Sequence, residues 1–404
     1  MAPRTIPKKK SSLARDPEPL TDALPLDQQE DITDLDVPEK WYFGPVLWST
    51  DWTTQTIITQ LDRGNINLNP RFQRRNAWSP NRKSLFIESL ILGLPIPQII
   101  LAEDSKRKGK FIIIDGKQRL LSLRQFVSDQ GDPDFTTLQL TGLKDREDLE
   151  GATYQQLRES KALKDDLNTF ENQTIRTVVI RGWRDERYLY SVFLRINTGS
   201  VQLSPQELRQ ALHPGPFTDL IDDLSTQSEI LKSVLHLREP DFRMRDVEFV
   251  LRYFAYKFFA PQYKGNLKNF LDEATRKLNG EWPKKRDELI EQGEALEYAL
   301  NTTRMIFGEK DELRKWNGSF YEGRINRAVF DVMAYYFSNQ RIGKSALLRA
   351  DRIKAKFQQL CEDDAAFLSS IETTTKSIEA NQVRFGTWAK ALQKILGGRI
   401  EAPF

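Results

Sequence analysis

The chain has 404 residues, 39% of them apolar and 29% charged, and carries a formal net charge of +3 at pH 7. That length allows two or three ordinary domains, and the composition allows a real core, which excludes a wholly disordered chain. A single cysteine excludes an internal disulfide and a cysteine-rich zinc site. The two histidines, His213 in a Pro/Gly loop and His236 in an apolar stretch, argue against a self-contained HNH-type centre, which needs several to hold a metal and activate water. No apolar run approaches the ~20 residues that span a bilayer, and the basic opening MAPRTIPKKK lacks the apolar segment of a secretory signal. Together with the cysteine usage, this predicts a cytoplasmic protein without a membrane partner.

The basic excess is local. Residues 60–130 carry thirteen Lys and Arg against six Asp and Glu, whereas residues 1–40 carry six against nine. The motifs treated below fall in that basic segment.

In chain order, residues 1–40 are rich in Pro, Asp, Ser and Lys without periodicity and predict a disordered leader. The aromatic-rich stretch 41–52 is expected to pack onto the first domain. Thr53 or Thr54 then caps a short helix with Ile57, Ile58 and Leu61 inward, stopped at Gly64. Residues 65–69 alternate like a short strand. Ser79 and Pro80 open a helix that runs to Leu92, and Pro95 and Pro97 lead into a strand over 98–102. An exposed basic turn (Lys106, Arg107, Lys108, Lys110) follows, then a strand over 111–115 whose apolar character on both faces predicts a central position. A helix over 120–127, helical pieces within 154–167, a β-branched strand over 173–181 and an amphipathic helix over 185–196 complete this region. Beyond 204 the pattern is helical, near 205–212, 217–224, 245–259, 266–278, 283–307, 324–337, 345–360 and 381–396. The fold class is therefore a small α/β head, residues 41–203, followed by an all-α, helical domain, residues 204–404.

The strongest local signal is the strand–turn–helix of residues 112–123, IIID-GKQR-LLSL. A helix that opens at Asp-Gly presents unpaired backbone N–H groups and the positive end of its dipole, which favours an anion. Gly116 allows close approach, Lys117 and Arg119 add charge, and Arg119 has the fork geometry for phosphate oxygens. Asp115 is placed to hold a divalent cation that bridges phosphates. The competing reading is a tight turn with an Asp cap and an exposed Lys/Arg pair. A second signal, Leu68 to Arg75, sets three arginines beside a Pro-fixed backbone, with Gln73 able to bond a phosphate or a neighbouring backbone group.

In this order, INLNPRFQRR, GLPIPQIILA and FIIIDGKQRLLSL resemble the ParB/sulfiredoxin-like superfamily. SLFIESLILGLPIPQIILAE and IDGKQRL are more closely similar to the DGQQR-type N-terminal domain of GmrSD-like restriction systems. Phe193 to Gly199, Leu203 and Glu207 to Arg209 resemble that family's downstream box, so the likeness covers residues 55–212. The resemblance implies that Asp115, Gly116, Gln118 and Arg119 line a nucleotide site, with Arg74 and Gln73 facing them and Asn197 in polar contact with the ligand. It makes Asp115 and Arg119 the candidate catalytic residues, with a nucleoside triphosphate and Mg²⁺ as cofactors and Asp115 as the metal ligand. Lys117 stands where the family usually has glutamine. The expected function is a nucleotide-binding, NTP-hydrolysing, DNA-associated protein of a restriction or anti-phage defence system, acting with a separately encoded nuclease or effector. A non-catalytic DNA-binding or adaptor protein that keeps the fold is the alternative. A nuclease built on the head itself ranks last, since no dense carboxylate cluster is visible.

Four further features have structural explanations in the sequence. Ser204-Pro205-Gln206-Glu207 has the form of a capping box, and Glu88 interrupts an apolar helix and is expected on its solvent side. The aromatic runs 252–259 and 334–337 have the spacing of core packing. Arg238, Arg243, Arg245 and Arg252 read equally as solvated surface or as contacts to DNA phosphates.

Overall fold

The first half of the chain forms a four-stranded mixed sheet in which only one pairing joins strands that are consecutive in sequence. The structure, a computed structural model, describes residues 46–68, 77–129, 131–186, 188–189, 192–193, 204–372 and 376–404. The predicted leader and half of the predicted helix over 185–196 lie outside these residues, and residues 186, 188, 189, 192 and 193 of that helix are helical. The strands are β1 (Val46–Thr53), β2 (Ile99–Glu103), β3 (Phe111–Asp115) and β4 (Thr174–Arg181), in the order β1-β4-β2-β3. β4 runs antiparallel to β1 and parallel to β2, and β2 runs antiparallel to β3. The aromatic stretch before Thr53 is thus a strand, with Val46, Leu47 and Trp48 largely exposed.

The central position expected for residues 111–115 is corrected. β4 and β2 are central and β3 is an edge strand, whose outer side meets an isolated bridge between Ile66 and Phe111. That bridge is what the predicted strand over 65–69 amounts to among the described residues. β3 is apolar because both its faces are covered, which says nothing of its place in the sheet. Phe111 and Ile113 join the main core, while Ile114 packs with Ile100, Ile180 and Leu208 in a smaller cluster.

Helices α1 (Thr54–Asp62), α2 (Pro80–Ile91), α3 (Lys117–Val127), α4 (Tyr154–Glu159) and α5 (Lys164–Asn172) complete the head. Thr53 and Ser79 cap α1 and α2 as the sequence predicts, their hydroxyls accepting the N–H of Thr56 and Arg82. Glu88 does not face solvent. Its carboxylate is 4% exposed and accepts the backbone N–H groups of Lys144, Asp145 and Arg146 at 2.8–3.1 Å, fixing the loop after α3.

The second half is helical: α6 (Pro205–Leu212), α7 (Pro216–Gln227), α8 (Glu229–Val234), α9 (Arg245–Phe259) and α10 (Leu267–Phe307), then α11 (Arg327–Phe337), α12 (Gln340–Leu347), α13 (Ala350–Asp363), α14 (Ala365–Glu372) and α15 (Ile378–Leu396). A small antiparallel hairpin, Arg314–Trp316 with Tyr321–Ile325, interrupts it, so the tail is not purely α. The helices expected over 266–278 and 283–307 are one 41-residue helix with Pro283 inside. Pro283 is exposed, so the hydrogen bond it forfeits lies on a face open to water. Gly215 offers α7 no side-chain cap, and Asn279 of α10 supplies it. The Asn279 Oδ1 accepts the N–H groups of Phe217 and Thr218 at 3.0 and 3.3 Å.

The aromatic runs are core, with Tyr253, Phe254, Tyr256 and Tyr336 buried. Arg245 and Arg252 are buried too, which removes them as surface contacts for DNA. Arg245 is held by Asp241, and Arg252 donates to Asp331 across α9 and α11. Arg384 reaches the same Asp331 at 3.4 Å. No helix among the described residues is long and apolar enough to cross a membrane.

Candidate functional site

The turn from β3 into α3 sets the geometry. Gly116 adopts φ +97°, a left-handed conformation that other residues reach only with strain. A Cβ there would stand 3.0 Å from Ile99 and 3.3 Å from the Arg119 guanidinium, so glycine also makes room for that side chain. Being the N-cap, Gly116 offers no side-chain acceptor to the first turn of α3. The positive end of α3 is therefore uncapped by any side chain, the arrangement that favours an anion.

Arg119 folds back over this turn. Its Nη2 donates to Asp115 Oδ2 at 2.9 Å and to the Gln98 carbonyl at 3.0 Å. Among the described residues its buried Nε has no hydrogen-bond partner, and neither has the buried Oε1 of Gln118. Asp115, Gly116, Gln118 and Arg119 are thus brought together at one helix terminus.

Lys117 goes elsewhere. It is 5% exposed, and its Nζ donates to Glu207 Oε1 in the first turn of α6. Glu207 also closes the predicted capping box: Ser204 N donates to its Oε2 at 2.7 Å, and its own N–H donates to Ser204 Oγ at 3.1 Å. Lys117 and Arg119 are therefore not an exposed pair, and the tight-turn alternative fails on that point. Gln73, Arg74 and Asn197 lie outside the described residues.

The remaining chemistry-bearing residues have structural occupations. Cys361 is buried, and burial pushes its thiol up to about 12, so it is no nucleophile at neutral pH. The His213 carbonyl accepts from Thr218 and Asn279, and His236 Nε2 lies 2.8 Å from Arg314 Nη2. Among the described residues no three His, Cys, Asp or Glu side chains are grouped as metal ligands.

Residues 54–214 match the family described as GmrSD restriction endonuclease, N-terminal domain. This segment is a GmrSD-like N-terminal domain. It begins at α1 and ends just beyond α6, so it includes the turn, Lys117 and Glu207. Neither the curated proteins nor the solved structures yielded a match to the chain.

Sequence reasoning missed the long-range partners. The spacing from Ser204 to Glu207 revealed the cap, but nothing local announced Lys117 ninety positions earlier. It also missed the inward polar face of α6. Gln206, Glu207, Arg209 and Gln210 are all buried on one short helix, an unusual density of polar residues facing inward.

Proposed function

We propose that this GmrSD-like protein binds a nucleoside triphosphate with Mg²⁺ at the β3–α3 turn and works in a restriction or defence system. One observation carries the reading: a glycine-capped helix terminus beside a buried arginine that has an unspent Nε donor. The N–H groups of α3 and the Arg119 guanidinium would hold phosphate oxygens. Mg²⁺ is commonly held by one or two carboxylates plus substrate phosphates. Asp115, at the end of β3, would take that role with its Oδ1, since Oδ2 accepts from Arg119. In hydrolysis, water attacks the terminal phosphorus and the nucleoside diphosphate leaves. Asp115 would orient the metal or the water, and Arg119 would take up charge on the transferred group. Arg74, Gln73 and Asn197 complete the proposed set, and DNA and a separately encoded nuclease or effector are the proposed partners.

A second reading has its own support. Arg119 is already paired with Asp115 and Lys117 with Glu207, so this side of the turn is neutralised internally. A non-catalytic DNA-binding or adaptor protein would retain the turn for this structural purpose.

Calorimetric titration of ATP, GTP, CTP and UTP with Mg²⁺ into wild type and Arg119→Ala separates the two. Binding that is lost in folded Arg119→Ala supports the nucleotide site. No binding to wild type, with salt-sensitive DNA binding indifferent to nucleotide, supports the adaptor.

A further inference from the structure

The tail carries a basic surface of its own. Residues 340–356 form α12, the turn at Leu348 and Arg349, and the first half of α13. They hold six Lys and Arg against one acidic residue, Asp351, a net +5 where the whole chain has only +3. Helical spacing sorts these charges into stripes. Arg341, Lys344 and Leu348 follow at intervals of three and four, and Arg352 and Lys356 at four, so each set shares one helix face. Arg341, Lys344, Arg352 and Leu348 are exposed, while Gly343 and Ala346 of α12 and Ile353 and Phe357 of α13 are buried. Both helices pack against α10 and α15, so the two stripes lie on the outer side of one layer. The Arg341 guanidinium reaches Gly398 just beyond α15, and Lys394, one turn before it, is exposed as well.

These cations are unspent. Among the described residues the side chains of Arg341, Lys344 and Arg352 make no ion pair or hydrogen bond, whereas neighbouring Lys354 is taken by Asp311 and the Phe307 carbonyl. A solvated helix face usually mixes both signs; a face of one sign complements a polyanion. A lipid surface would need an apolar helix face to insert, and apart from Leu348 the apolar sides of α12 and α13 are turned into the protein. Duplex DNA needs none, because its phosphates, one per about 1.7 Å of axis, bind cations without apolar contact. We propose that the α12–α13 surface binds the phosphate backbone of duplex DNA, with Arg341, Lys344 and Arg352 as phosphate contacts. This rests on the DNA association common to both readings above, and it is independent of the nucleotide site.

Salt dependence tests it on the full chain. Anisotropy of a labelled duplex of about 20 base pairs would be followed between about 50 and 200 mM salt. The proteins are wild type, Arg341→Gln/Lys344→Gln/Arg352→Gln and Arg352→Gln, with thermal unfolding as the check on folding. As the control, Arg276→Gln/Lys284→Gln/Arg286→Gln removes the same charge from exposed positions in earlier turns of α10, a helix that α12 meets at Tyr298. Each lost phosphate contact lowers the slope of log K against log salt by about 0.9, so the triple variant should lose about 2.7 and Arg352→Gln about 0.9. At about 100 mM salt the triple variant should bind at least about tenfold more weakly, alike on unrelated sequences, and the control should match wild type. Wild type that binds no duplex overturns the proposal together with the DNA association. Wild type that binds while the folded variants keep its slope overturns the proposal alone, and so does an equal loss in the control. Tighter binding to anionic phospholipid vesicles than to the duplex, lost in the same triple variant, would overturn it in favour of a membrane surface.

Discussion

Lys117 and Glu207 form a buried ion pair between the first turns of two helices, α3 of the head and α6 at the start of the tail. Each side chain is 5% exposed. The pair spans the junction at the place where the proposed phosphate turn begins. This contact ties the first turn of α3 directly to the first turn of α6.

The pair's worth is measurable by a double-mutant cycle. Lys117→Met strands the Glu207 carboxylate, and losing one partner of a buried pair costs about 3–5 kcal/mol. Glu207→Gln keeps an acceptor for the Ser204 cap, so its cost should be smaller. Urea unfolding of both single variants and the double should return a coupling of about 0.5–3 kcal/mol. A coupling near zero would remove the pair from the junction's energetics.

Asp331 should be the least replaceable residue of the tail. It is 2% exposed and accepts from Arg252 and Arg384, both buried. Asp331→Ala removes the carboxylate that two buried guanidinium groups share and leaves Glu248, 3.9 Å from Arg252, as the nearby anion, and a loss of about 3–5 kcal/mol or failure to fold is expected. Calorimetric unfolding provides the check, with Asp241→Ala at the separate Arg245 pair as the comparison.

Lys83 predicts a pH dependence of opposite sign to that of an ordinary lysine pair. Its ammonium is 3% exposed on α2 and donates to Gln125 Oε1 at 2.7 Å, and burial lowers its pKa to about 8. The unfolded chain, with a lysine pKa near 10.4, holds the proton longer than the folded one. Between about pH 8 and 10.4 the unfolded state therefore binds more protons, and wild type should gain stability relative to Lys83→Met as pH rises. The gain is at most about 3 kcal/mol, and it should be flat below pH 7. Chemical denaturation of both proteins across pH 6–10 reads it directly, and a falling difference would refute the assignment.

Much of the head was legible because its signals are local. Caps at Thr53 and Ser79, the Ser204–Glu207 box and the strands at 98–102, 111–115 and 173–181 are written within a few residues of where they act. The order of the strands was not, since apolar character on both faces of β3 reports coverage by helices and not position in the sheet. Pro283 misled because a proline in an exposed turn of a long helix costs one hydrogen bond, which the packing of the rest of α10 outweighs. At the site, the sequence placed Asp115, Gly116, Gln118 and Arg119 on one turn. It could not see that Lys117 and Arg119, two residues apart, turn to opposite partners, because those partners lie in other elements.

The Asn279 cap has a consequence for the order of assembly. The N–H groups of Phe217 and Thr218 find their acceptor on a residue about sixty positions later in the chain. As α7 emerges in synthesis or refolding, its first turn has no acceptor of its own and must stay hydrated or frayed. It closes when the middle of α10 arrives. A truncated chain that stops before Asn279 would thus hold α7 with an open end. The last part of α7 to become rigid is the part nearest the junction between head and tail.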